Sequence, residues 1–336
     1  MARLNYLDNL KVALTFLVIF HHAGQAYGDG GEWGYTPSNP EEVMPWIWHF
    51  FSTNAAFFMG LYFFISGYFI PGSYDRQGFG TFVRKKILRL GVPLLLLGAL
   101  LTYATGTVEI AHMWFVESLL IFSFFYAVVR KRCPAISKAC DSRPTLTGLL
   151  MVALVMGIGS YFIRQVSPQD HWISLSVWKF EPAHYLQYIM MFVLGIYAYR
   201  FDWLSKMSKR TGAMALFTGG ALAMGNYLRQ DGAWNDFVWQ WFGIYESLMC
   251  MLISFGLLWL FRDKVNLCNQ TLSWLSAQSY GAYIVHLPLM IGIQHLFDGV
   301  WMGAFGKFMF VGVVTTVLSY IFTGLLRLVP GVKRIV

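Results

Sequence analysis

Apolar runs of about 18–25 residues, parted by short polar stretches, recur along the whole chain, and a helix of that length crosses a bilayer core. Ten can be drawn, at roughly 10–27, 46–70, 88–106, 112–129, 145–164, 182–200, 211–228, 238–261, 279–297 and 305–327. The pattern predicts an all-α polytopic membrane protein of about ten transmembrane helices. The first run follows Asp8 and Lys11 and ends in HHAGQAYG, which reads as a first membrane helix rather than a cleavable signal. No internal repeat, low-complexity tract or linker breaks the pattern. Residues 1–336 are therefore expected to form a single transmembrane domain with no appended soluble domain. The longest predicted connections, 28–45 and 71–87, are short, so any chemistry belongs to the membrane segments and their loops.

Composition agrees. Of the 336 residues, 57% are hydrophobic, 18% aromatic and only 12% charged, about half the charged share of a soluble domain. The net charge of +8 would suit nucleic acid, but its distribution points elsewhere. Alternate connections hold Arg76, Arg84, Lys85, Lys86 and Arg89; Arg130, Lys131, Arg132, Lys138 and Arg143; Arg200, Lys206, Lys209 and Arg210; and Arg262 and Lys264. With Arg3, Lys11, Arg327, Lys333 and Arg334 at the two ends, this leaves the other side only Arg164, Lys179, Arg229 and Lys307 of the 25 basic residues. That side carries Asp29, Glu32, Glu41, Glu42, Asp170, Asp231 and Asp236. The positive-inside rule then makes the basic side, with both termini, cytoplasmic. The expected partners of those cations are anionic membrane lipids, not nucleic acid. Cys133, Cys140, Cys250 and Cys268 have no CxxC spacing and read as reduced thiols.

Ionisable groups inside apolar runs are costly and mark candidate sites. Lys11 and His22 stand eleven residues apart, three helical turns or about 16 Å, and so share one helix face. The adjacent His21 points about 100° away. In TFVRKKILRLGVP, Lys86 and Arg89 are related by i, i+3. With Arg84 they form either a clamp for a phosphorylated ligand or a stop-transfer cluster on lipid phosphates. Glu117 and Glu246 lie in apolar runs and need a partner or a proton. They pair either with His22, as an acid–base dyad, or with Arg164 or Lys179. His22 and His286 read at different depths, His286 about two turns into its run, so haem ligation is not expected, nor any metal. Trp33, Tyr35, Trp172 and Trp178 in the outer loops suit either sugar stacking or an interfacial aromatic belt.

With these residues in place, the chain resembles the acyltransferase 3 family of integral membrane acyltransferases over nearly its whole length. YLDNLKVALTFLVIFHH is similar to the family's LDxLR opening and a span ending in His; FFISGYFI to FFxxSGY; FVRKKILRLGVP to RxxRLxxP; AHMWFVESLLIF to its LWFL element; and QSYGAYIVHLP to SYxxYLxH. Lys11 stands where the family usually has Arg, and Lys86 takes the first basic position of RxxR. Both keep the charge but lose the planar fork. The resemblance implies acyl transfer, often of acetyl, from cytoplasmic acyl-CoA to a hydroxyl of a carbohydrate or lipid-linked acceptor, in the cytoplasmic (inner) membrane of a bacterial cell. Lys11, Arg84, Lys86 and Arg89 would hold the phosphates of acetyl-CoA or another acyl-CoA. His22 would act as general base, oriented by Glu117 or, second, Glu246. A secondary transporter or lipid exporter using the His/Glu layer as a proton relay is the alternative. The inverted repeats it calls for are not found in the sequence.

Overall fold

A computed structural model of the chain describes residues 4–28, 33–106, 110–133, 142–175, 178–229 and 233–336. Arg3, Asp29, Glu32, Lys138, Cys140 and Asp231 lie outside them. Within them the chain is helical: α1 (Asn5–Gln25), α2 (Trp48–Lys86), α3 (Val92–Thr105), α4 (Trp114–Arg132), α5 (Leu146–Val166), α6 (Pro182–Arg200), α7 (Trp203–Lys206), α8 (Lys209–Tyr227), α9 (Ala233–Gln240), α10 (Phe242–Lys264), α11 (Gln270–Leu296) and α12 (Gly303–Leu326). A small antiparallel hairpin, β1 (Ile173–Leu175) and β2 (Trp178–Phe180), pairs Ile173 with Phe180 in the loop before α6.

Each predicted apolar run falls on a helix. Among the described residues, five segments are long and apolar enough to cross a membrane: Pro40–Tyr103, Ala111–Arg132, Leu146–Val166, Phe242–Lys264 and Gly303–Leu326. The helices α1, α6, α8 and α11 have 21, 19, 19 and 27 residues but are diluted by polar positions. The starts of α5, α8 and α11 carry side-chain caps. Thr145 accepts from the Gly148 amide, Ser208 from Thr211 and Asn269 from Leu272, each satisfying an otherwise orphaned donor.

Two expectations are corrected. The predicted connection 71–87 is largely helical: α2 continues to Lys86, with a break at Gly78 (φ 70°, ψ 171°). Its composition hid this, because SYDRQGFGTFVRKK has no apolar run. It packs instead through a few rings, Tyr74 on Phe82 and Tyr126, and Phe79 under the Lys131 ammonium. Gly78 supplies the left-handed step, which a side chain would resist. Second, α11 starts at Gln270, nine residues before the predicted run, so His286 lies more than four turns into it.

The chain divides into two compact units: residues 1–58 with 261–334 and 336, and residues 59–260 with 335. In the first, α1, α11 and α12 pack together. Asn9 Nδ2 donates to the Val265 and Leu267 carbonyls at 2.8 and 2.9 Å, fixing the start of α1 beside the chain that enters α11. Gly312 of α12 lies under the Phe20 ring of α1, and Gly281 of α11 under Thr323 of α12. In the second unit small residues again set the spacing. Gly67 and Gly195 bring the α2 and α6 backbones into mutual contact at Phe192 and Phe64, and Gly219 and Gly256 do the same for α8 and α10. In lipid, helices gain little by burying apolar surface, and close backbone approach takes over as the adhesive.

Candidate functional site

The first unit places two histidines together. Nδ1 of His22 lies 2.7 Å from Nε2 of His286, and the rings are nearly parallel, 3° apart with centroids at 5.0 Å. This corrects the expectation of different depths. His22 is 17 residues into α1 and His286 is 16 into α11, helices whose starts are tied together at Asn9. The contacts fix the tautomers. Nδ1 of His286 is 2.6 Å from the Tyr283 carbonyl, which only accepts, so it carries the proton. In the neutral ring Nε2 of His286 is then an acceptor, and Nδ1–H of His22 donates to it. The lone pair of His22 is left on Nε2, the nitrogen of a base. His22 is half-buried and His286 fully buried.

A segment of the same unit is held against this pair. The Trp33 indole and the His22 ring meet in a T-shaped arrangement, centroids 5.3 Å apart, and the indole Nε1 donates to Oε1 of Gln25 at 2.8 Å. Gln25 follows His22 by three residues and so shares its face. Trp33 has a left-handed backbone, φ 56°, which costs a non-glycine residue roughly 1–2 kcal/mol. Further along, the Tyr35 hydroxyl donates to Asp298 at 2.7 Å, and both the amide and the hydroxyl of Ser38 donate to the same carboxylate. Bonds from the Ser38 hydroxyl first, then from Tyr35 and the Ser38 amide, hold the Asp298 carboxyl down at about 2. Lys307 of α12 donates to Glu42 at 2.8 Å and to the Asp298 carbonyl at 2.6 Å, and Lys307 and Glu42 are each 1% exposed. Sequence reasoning gave Asp298, Glu42 and Lys307 no role. The one hint was a lone lysine near the outer end of the last apolar run.

Lys11 pairs with Asp8 at 2.7 Å and is partly exposed, so its ammonium is steered by the preceding turn. In the second unit, Arg84 and Arg89 are exposed, while Lys86 is half-buried with its ammonium 5.5 Å from the Phe82 ring. The stretch Ile87–Gly91, with Arg89, is wound as a π-helix. Pro93 explains it: a proline offers no amide to the carbonyl four residues back, that of Arg89, and its ring crowds that carbonyl. Lys86 and Arg89 are thus not related by the ordinary α-helical step expected from their spacing.

Each carboxylate has a partner in the second unit. Glu117 accepts the Lys179 amide at 3.3 Å. Glu246 binds Arg164 and, at 3.0 Å, Nε2 of His184, whose Nδ1 is 2.7 Å from Glu181. A doubly protonated ring satisfies both carboxylates, which gives this buried group two positive and two negative charges. Burial alone would raise the Glu181 carboxyl, at the entrance to α6, but His184 brings it below the usual carboxylate range. The Arg164 pairing is one that the sequence had left open, whereas the bond from Lys179 to Glu117 comes from its backbone amide. Cys133, Cys250 and Cys268 are free thiols.

Apolar helices of membrane-crossing length, with ionisable groups buried among them, define a multi-pass membrane protein. The family described as "Acyltransferase domain" matches residues 4–324, nearly the whole chain, and the protein belongs to this acyltransferase 3 family. It is a membrane acyltransferase. Among curated relatives it is similar to the glucans biosynthesis protein C of Escherichia coli strains SMS-3-5 and K12, 24% identical over 326 residues. The alignments cover 85% of this chain and 82% of those proteins. No solved structure is significantly similar.

Proposed function

We propose that this acyltransferase moves an acyl group, acetyl in the simplest case, from acyl-CoA to a hydroxyl of a carbohydrate acceptor, with His22 as general base. The observation that carries this reading is the His22–His286 hydrogen bond, which leaves the basic lone pair on Nε2 of His22. In the proposed step Nε2 takes the acceptor's hydroxyl proton while the oxygen attacks the thioester carbonyl. The carbon–sulfur bond breaks, and the proton passes from His22 to the departing thiolate. His286 orients the base and disperses its charge, the part that the sequence had assigned to Glu117 or Glu246. Lys11, steered by Asp8, is proposed for donor phosphate binding, and the same role is proposed separately for Arg84, Lys86 and Arg89. The name of the E. coli relatives supports a glucan-like acceptor. Alternating basic connections support ten spans with both termini in the cytoplasm of a bacterial cell, in the inner membrane.

The test uses purified protein in detergent. Micromolar acetyl-CoA is expected to raise its thermal midpoint, since a ligand that binds only the native state stabilises it. His22→Ala is expected to keep that response and to lose transfer by about 10²–10⁴. No response to acyl-CoA, or near wild-type transfer in His22→Ala, sinks the reading.

A further inference from the structure

The segment that begins at Trp33 is built at a cost that its fold alone does not explain. A tryptophan in the left-handed region is strained (φ 56°), and glycine, which follows it as Gly34 at φ 82°, is the residue such a step ordinarily uses. The strained residue is also tethered. Its indole Nε1 is fixed by Gln25, on the same helix face as His22, and the chain beyond it is tied down by Tyr35 and Ser38 on Asp298 and by Lys307 on Glu42. Met44 closes the segment back onto Tyr27 through its amide at 2.8 Å. An interfacial anchor, the ordinary use of tryptophan in a membrane protein, needs neither a left-handed backbone nor a fixed indole. Strain that the surroundings hold in place marks a functional position.

We propose that Trp33 is the stacking platform for the acceptor's sugar ring, setting one ring hydroxyl against Nε2 of His22. The indole is only half-buried, and its plane stands at 69° to the imidazole with the centroids 5.3 Å apart. A flat π-face standing beside a base suits a pyranose, whose axial C–H bonds carry a small positive charge toward the negative face of the ring. The same segment and its partners are polar: Gln25, Ser38 and Asp298 carry amide, hydroxyl and carboxylate groups that are not fully buried, where a lipid hydroxyl would call for aliphatic walls. This inference rests on the proposed transfer at His22 and names the residue that seats its carbohydrate acceptor.

The experiment separates binding from turnover. Saturation-transfer NMR on the detergent-purified full chain measures binding of a β-linked glucose tetrasaccharide, whose ring C–H bonds are all axial, with tetraethylene glycol as the non-sugar control. Trp33→Gly removes the indole and also relieves the strained backbone, so the variant is expected to melt at or above the wild-type temperature. Its tetrasaccharide binding is expected to weaken at least tenfold, and His22→Ala is expected to bind as wild type. Trp33→Phe, which keeps a smaller face, is expected to fall between wild type and Trp33→Gly. Wild-type binding in Trp33→Gly, no tetrasaccharide binding in the wild type, or equal response to tetraethylene glycol overturns the proposal. So does a Trp33→Gly protein that melts well below wild type, since the indole would then serve packing. Should His22→Ala keep full transfer while binding still depends on Trp33, the catalytic reading fails and the platform stands.

Discussion

For His22 as the proposed base, a neutral imidazole is an economical partner inside a membrane. A carboxylate beside His22 would bring a second charge to desolvate, whereas His286 accepts a hydrogen bond without one. Its own tautomer is set by a backbone carbonyl, so no further ionisable group is needed. His286→Ala is expected to lower kcat by about 10- to 100-fold with little change in either KM, the size of loss typical where the partner orienting a metal-ligating histidine is removed. His286→Gln, which can still present an acceptor oxygen, is expected to recover part of it. Equal loss in both variants would make His286 a packing residue. The His286 motif was visible in QSYGAYIVHLP, but its role was not, because a start placed nine residues late in α11 put the ring at the wrong height. Asp298 offers a second check at this scale. Its folded carboxyl sits at about 2, below an unfolded value of about 4. The stabilisation is therefore complete above about pH 4 and is lost as pH falls towards 2. Acidification through that window is expected to lower the thermal midpoint of the wild type more than that of Asp298→Asn.

At the scale of elements, the most informative departure is the turn between α2 and α3. The basic string was legible, and so was its proline, but their joint effect was not drawn from spacing. Pro93 disturbs the carbonyl of Arg89, the very residue expected to grip phosphate, and the backbone widens there into a π-turn. Such turns recur at functional positions. Arg89→Ala is expected to raise the KM for acyl-CoA by more than that for acceptor. An unchanged donor KM would return the cluster to lipid contact. The extension of α2 through 71–86 was illegible for a different reason: its polar residues carry no apolar period, and its helix rests on Tyr74, Phe79 and Phe82.

Across the whole molecule, each compact unit contains a buried charged group that is closed on itself. In one it is Lys307 with Glu42; in the other, Glu246 with Arg164, His184 and Glu181. Removing one member of such a group leaves an uncompensated charge, typically at a cost of 3–5 kcal/mol. Lys307→Met is expected to destabilise the protein by about 3–5 kcal/mol in reversible unfolding, and the double change with Glu42→Leu by clearly less. An additive double variant would show that the two do not act as a pair. Glu246 is in the same position, so Glu246→Gln is expected to act on stability before it acts on kcat.

Apolar run length and the low share of charged residues established from sequence alone that this is a helical membrane protein and roughly where most of its helices lie. Both are properties of short windows, set by bilayer thickness and by local composition. Motif order carried the family as well. What only the tertiary structure decided is which polar groups meet. His22 with His286, Trp33 with Gln25, Lys307 with Glu42 and Glu246 with His184 are separated by 264, 8, 265 and 62 residues. Such pairs are fixed by helix starts, glycine contacts and side-chain direction, which depend on distant parts of the chain. A buried polar side chain must find a partner, but the physics that demands one does not name it.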